Sequence, residues 1–294
     1  MKKILNVCFV SVVLININFA CFAMEPKDFF DFSEPNYYGA FFARSRSTSI
    51  TNEELLMAVS ADGKLCEKAV YGLDISGCSE ITDLFILQRL TNLERLSLSG
   101  CSGIKNLYPL SKLTKLKKLD LSECFGITNM TVWSVLYDLS ELFWLNLSGC
   151  SQITRLPNLF RLRWLNLSGC TALKDISEWS MFNNLVVLNL SGASSLEKLP
   201  RGFEMRALKE LYLKDCKELK VLPDLSGCNL LSVLDLRGTG VVAGIDEDVV
   251  EAAANEENRN TEAVKLLLAA IRERDELAEH ARDRDGAPPS AGAV

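Results

Sequence analysis

The chain has 294 residues, 48% of them hydrophobic and 24% charged, which fits a folded globular protein and excludes a disordered charged tract as the whole answer. Its formal net charge of −6 is uneven: from Asp246 onward there are 13 acids and 6 bases, leaving 25 acids and 26 bases in residues 1–245. A near-neutral body carries no electrostatic footprint for nucleic acid, and a single histidine, His280, removes most serine–histidine, cysteine–histidine and histidine–metal chemistries.

In chain order, Lys2 and Lys3 precede an uncharged run from Ile4 to Ala23, and Cys21 and Ala23 make a small-x-small cleavage pattern. Residues 1–23 therefore read as a bacterial secretory signal peptide. An uncleaved membrane anchor competes with this reading, against the polar Asn6, Asn16 and Asn18; so does lipidation of Cys21, against the missing leucine three residues earlier. The expected localisation is export to the periplasm or medium, without membrane association after cleavage. Residues 24–50 form an aromatic-rich segment, with Phe29, Phe30, Phe32, Tyr37, Tyr38, Phe41 and Phe42 within 14 residues. It either packs on the following element or binds a partner. Thr51 and Glu54 spell a capping box ahead of Leu55, Leu56 and Val59, which predicts an N-terminal helical cap over 51–69.

From residue 70 a nonapeptide, Leu-x-x-Leu-x-Leu-x-x-Cys, recurs eight times, starting at Val70, Leu93, Leu116, Leu142, Leu162, Leu185, Leu208 and Leu231. Its ninth positions are Cys78, Cys101, Cys124, Cys150, Cys170, Ala193, Cys216 and Thr239, spaced by 23 residues except for one interval of 26 and one of 20. Alternation at positions four and six is the period of a strand with one buried face. One such strand cannot bury that face alone, whereas eight stacked in parallel share a core and leave one exposed sheet. The long interval has room for a helical turn or two over Met130 to Leu139; the short one, with Pro157, predicts an extended or 3₁₀ return.

These residues resemble the leucine-rich-repeat family over 70–245. The Leu-x-Leu-Ser-Gly-Cys units and the Leu-Pro pairs at 156–157, 199–200 and 222–223 are similar to the repeats of plant disease-resistance receptors. The resemblance implies an α/β fold: a right-handed, curved leucine-rich-repeat solenoid of eight repeats, with a parallel β-sheet on its concave face and helical caps. It also suggests a host-directed effector, by analogy of fold alone.

Six of the eight cysteines beyond the leader occupy the inward ninth position of successive turns. Parallel side chains about 4.8 Å apart exceed the roughly 3.5–4.5 Å between Cβ atoms that a disulfide needs, so free buried thiols are expected. Cys66 and Cys228 lie off this ladder. Beyond Ile245 the composition turns to Glu, Ala and Arg, and apolar stripes at Val249, Val250 and Ala253 and at Val264, Leu267, Leu268 and Ile271 predict two acidic helices in 246–285. They cap the solenoid or self-associate. Residues 286–294 read as a disordered tail.

No phosphate loop, nucleophile elbow or metal motif appears, which points to a non-enzymatic module with no cofactor, metal or small-molecule substrate. A protein partner on the concave sheet is the favoured function, with the chain a monomer. The alternative is a structural or surface protein that attaches or self-assembles through its N-terminal segment and C-terminal helices. Positions two, three, five, seven and eight of each nonapeptide face outward, so the candidate partner-binding residues are Phe143, Trp144, Arg163, Trp164, Val187 and Tyr212, bordered by Lys118 and Lys209. Aromatic and arginine side chains inside a polar rim are the types that dominate interfaces.

Overall fold

The computed structural model describes residues 51–53, 55–56, 70–157, 159–174, 176, 183–200, 205–257 and 259–285, together with two strands nearer the N-terminus. Most of the expected leader (residues 1–18), most of the aromatic segment, residues 57–69 of the expected cap with Cys66, and residues 286–294 lie outside the described residues.

Eight short parallel strands carry the eight nonapeptides: β3 (Val70–Asp74), β4 (Arg95–Ser97), β5 (Lys118–Asp120), β6 (Trp144–Asn146), β7 (Trp164–Asn166), β8 (Val187–Asn189), β9 (Glu210–Tyr212) and β10 (Val233–Asp235). Position four aligns with position four throughout, from Leu73 opposite Leu96 to Leu211 opposite Leu234. The result is a leucine-rich-repeat solenoid. Leucines at positions one, four and six join return-segment residues such as Ile104, Leu107, Leu110 and Leu113 in one continuous core. The 26-residue interval holds helix α1 (Asn129–Leu136), whose first turn is fixed by Thr131, its hydroxyl accepting from the Thr128 N–H at 3.0 Å.

The sheet begins earlier than the repeats do. Strand β1 (Phe19–Phe22) pairs antiparallel with β2 (Ala40–Arg44), and β2 pairs parallel with β3, Phe42 lying opposite Leu73. Phe42 thus takes the place of a position-four leucine. Asn52 then repeats a device of the solenoid itself. Its Oδ1 accepts from the Thr82 and Asp83 N–H groups at 3.0 and 3.2 Å, as Asn129 Oδ1 accepts from Thr154 N–H at 2.9 Å. Strand β2 and Asn52 therefore extend the sheet and its asparagine device ahead of the first nonapeptide, with Leu55 in the shared core.

Two local rules close most of the turns. At position five, Asp74, Asp120, Asn146, Asn166, Asn189 and Asp235 each use Oδ1 to accept the backbone N–H two residues on, at 2.9–3.2 Å. This Asx turn ends the strand. At position eight the backbone is left-handed: glycine supplies it at Gly100, Gly149, Gly169, Gly192 and Gly238, whereas Glu123 and Asp215 adopt φ of 56° and 59°. A Cβ in that region costs about 1–2 kcal/mol, more than the roughly 0.4–1 kcal/mol of unfolded-state entropy that glycine adds. Glu123→Gly and Asp215→Gly are each expected to stabilise the fold by about 0.5 kcal/mol, read as a higher urea midpoint. A lower midpoint for both would show that contacts of the two side chains outweigh the backbone term.

The seven cysteines among the described residues are buried free thiols, Cys228 included. Those on the ladder do more than fill space. Cys101, Cys124, Cys150, Cys170 and Cys216 donate Sγ–H to the position-six carbonyl of the preceding turn, at 3.1–3.2 Å.

At the C-terminal end, a 3₁₀ turn (Gly240–Val242) leads into α2 (Glu247–Ala253) and α3 (Thr261–Asp285). Val241, Val250, Ala253, Val264, Leu267 and Ile271 belong to the core shared with the strands. Asp246 caps α2, accepting from Asp248 N–H at 2.9 Å. Arg274 ties α3 back to the 3₁₀ turn by donating to the carbonyls of Val241 and Ala243.

Candidate functional site

Position three of the repeats forms one rung-by-rung row across the exposed side of the sheet: Gly72, Arg95, Lys118, Trp144, Trp164, Val187, Glu210 and Val233. Strands about 4.8 Å apart bring flat side chains on adjacent rungs into stacking range. Trp144 and Trp164 accordingly stack face to face, with ring centroids 4.4 Å apart and planes 8° from parallel.

That packing corrects two of the eight expected contact residues. Trp144 is only 6% exposed and Lys118 5%, although both stand on the outward face. Trp144 is covered on one ring face by Trp164, and the Lys118 ammonium lies 5.5 Å from the centre of the Phe143 ring. Phe143, Trp164, Val187 and Tyr212 are half-buried, whereas Arg163 and Lys209 are exposed. Truncating Trp144 should therefore cost fold stability: about 3 kcal/mol or more in a denaturation curve, as for buried aromatics generally. Trp144→Ala with an unchanged melting temperature would place the indole in solvent.

Positions five and eight also differ from the expectation of a uniformly presented face, because the Asx turns and the left-handed residues commit them to the backbone. Asn146, Asn166 and Asn189 nevertheless remain beside the tryptophans, half-buried. The recurrence of Asn or Asp two residues before a serine is the sequence signal that marks them.

Charges on the face are largely engaged. Lys117 pairs with Glu94 at 3.1 Å. Burial pushes the Asp120 carboxyl above its ordinary range, against the Ser122 hydrogen bonds that lower it. Glu210 is buried and accepts from the Tyr212 hydroxyl at 3.0 Å. It also pairs with Arg259 at 3.0 Å, so the loop between α2 and α3 reaches the C-terminal end of the face. Burial and the adjacent Glu210 charge both raise the Tyr212 phenol. Asp235 pairs with Arg237 at 2.6 Å. Among the described residues no cluster of His, Cys, Asp and Glu is arranged to hold a metal, and no helix is long and apolar enough to cross a membrane. The described face offers contact surface and hydrogen-bond donors.

The family model for leucine rich repeats (2 copies) matches residues 91–135. No curated protein matches the chain. Among solved structures, the leucine-rich repeat domain of the type III effector XopL is 24% identical, with 66% of this chain and 68% of that one covered and a TM-score of 0.50. Internalin C2 of Listeria monocytogenes is 23% identical over 69% of this chain and 77% of its own, with a TM-score of 0.45. A leucine-rich-repeat protein of Leptospira interrogans is 20% identical, covering 64% of this chain and 45% of that one at a TM-score of 0.49.

Proposed function

We propose that this chain, a leucine-rich-repeat protein by its repeats and by its fold, is an exported, non-enzymatic binding module that holds another protein against the face of its sheet between β6 and β9. The carrying observation is a contiguous surface on which Arg163 and Lys209 are exposed and Phe143, Trp164, Val186, Val187 and Tyr212 are half-buried. Partly covered aromatic and aliphatic groups beside exposed cations lose water on contact with little side-chain entropy left to lose, which is what interface anchors require. Export is supported by Lys2, Lys3 and the uncharged run to Ala23, and delivery toward a host by the fold shared with an effector domain. Ladders of buried thiols and Asx turns supply a rigid frame, and a rigid frame favours a preformed site.

The test uses Trp164→Ala with Arg163→Ala, leaving the buried Trp144 intact. The full chain, immobilised, is exposed to a host lysate, and each captured protein is then purified and titrated against both forms. At least one partner should bind the original chain and lose about 2 kcal/mol or more with the variant, measured at a temperature where circular dichroism shows both forms folded, since uncovering Trp144 lowers the variant's melting temperature. Equal affinity of every captured protein for both forms would remove the sheet face as the site.

A further inference from the structure

We infer that the partner segment seated on this face is acidic: a stretch of protein whose aspartate or glutamate side chains flank an apolar one, lying across β6 to β9. This rests on the sheet-face reading above and adds the chemistry of what is held. At positions two, three and five of β6 to β9 the one acid, Glu210, is buried and ion-paired, and of the position-five acids on either side Asp120 is buried and Asp235 is buried and ion-paired. Arg163 and Lys209 are exposed and make no ion pair among the described residues. At those positions a partner therefore meets cations where it meets free charge, the exposed Asp215 lying beyond them at the turn after β9. Glu256, close enough to Tyr212 to act on its phenol, sits at the far end beside Arg259 and bounds the strip.

Hydrogen bonding points the same way. Asn166 and Asn189 spend their Oδ1 atoms on the Ser168 and Ser191 N–H groups at 2.9 Å, so what they offer a partner is Nδ2, a donor. Donors and cations around an apolar centre call for acceptors with negative charge around an apolar side chain. Single-stranded nucleic acid, the other polyanion with apolar faces, needs open aromatic faces to stack on. Here Trp144 is buried and Trp164 has spent one ring face on it, which favours the peptide.

The experiment titrates the full chain with three synthetic peptides of one Leu/Trp pattern, whose polar positions are all Glu, all Gln or all Lys, and with a uridine 20-mer. The Glu peptide should bind, weaken at least about tenfold between 50 and 300 mM salt, and lose at least about tenfold in affinity with Arg163→Glu/Lys209→Glu. Absent binding of the Glu peptide, equal or tighter binding of the Gln or Lys peptide or the RNA, or indifference to charge reversal overturns the acidic assignment. Trp164→Ala separates the two levels. If it abolishes capture of the partner while charge reversal does not, the sheet face stands and the acidic partner falls; if neither matters, both fall.

Discussion

A chain ending at Ile245 is expected to lose its cooperative melting transition and to self-associate. The reason lies in what the C-terminal segment covers. Leu234, Leu236 and Val241 are fully buried, and Val250, Val264, Leu267 and Ile271 complete the core in which they sit. Burying one such side chain contributes about 1.5–3 kcal/mol, so losing four removes roughly 6 kcal/mol or more, a sum comparable with the whole stability of an ordinary domain. An uncovered last strand also presents an open edge and an apolar face to a second copy. Leu267→Ala in the full chain gives a graded version of the same loss, about 2–5 kcal/mol. Calorimetry and light scattering check both, and a chain ending at Ile245 that melts sharply as a monomer would show that the solenoid closes its own end.

Regularity decides what could be read from the residues. The eight strands and their register were legible because the leucine of Leu145 recurs in all seven other repeats, that of Leu147 in six and the cysteine of Cys150 in five, and periodicity reports directly which face is buried. β2 was not, since Phe42 and Arg44 stand where leucines would and no cysteine follows; only backbone pairing with Val70–Asp74 reveals the extra strand. The site was legible as a face and illegible as a surface. Alternation shows that Trp144 and Lys118 point away from the core, but whether they meet water depends on the rungs beside them. At about 4.8 Å spacing, one indole shields the next. Asn166 and Asn189 escaped notice because residues reading as outward polar positions also act on their own backbone. The pairing of Arg259 with Glu210 joins residues 49 apart in sequence, and no local pattern encodes it.

The ladder cysteines carry the second large expectation, an unfolding transition in alkali. Burial raises the Cys150, Cys170 and Cys216 thiols from an ordinary 9.0 to about 12, and that of Cys228 to about 11. Well below pH 9 these thiols are protonated whether the chain is folded or not, so pH has no purchase through them. Above it the unfolded chain releases protons that the folded chain retains, the unfolded state binds fewer protons, and stability falls as pH rises until the folded values are reached. Each thiol contributes about 1.4 kcal/mol per pH unit in that window, so three together lower stability by roughly 4 kcal/mol per unit. Against an ordinary reserve of about 5–15 kcal/mol, midpoints near pH 10–11 are expected. Cys170→Ala isolates the cause from tyrosine and lysine titration. It loses the Sγ–H bond to the Leu147 carbonyl and so starts less stable at pH 7, yet its stability should decline less steeply between pH 9 and 11. Ala193 already occupies the same position of the next turn, fully buried, so the substitution has a native precedent. Urea titrations of both forms across this pH range measure the two slopes, and equal slopes would mean that the thiols do not control the alkaline limit.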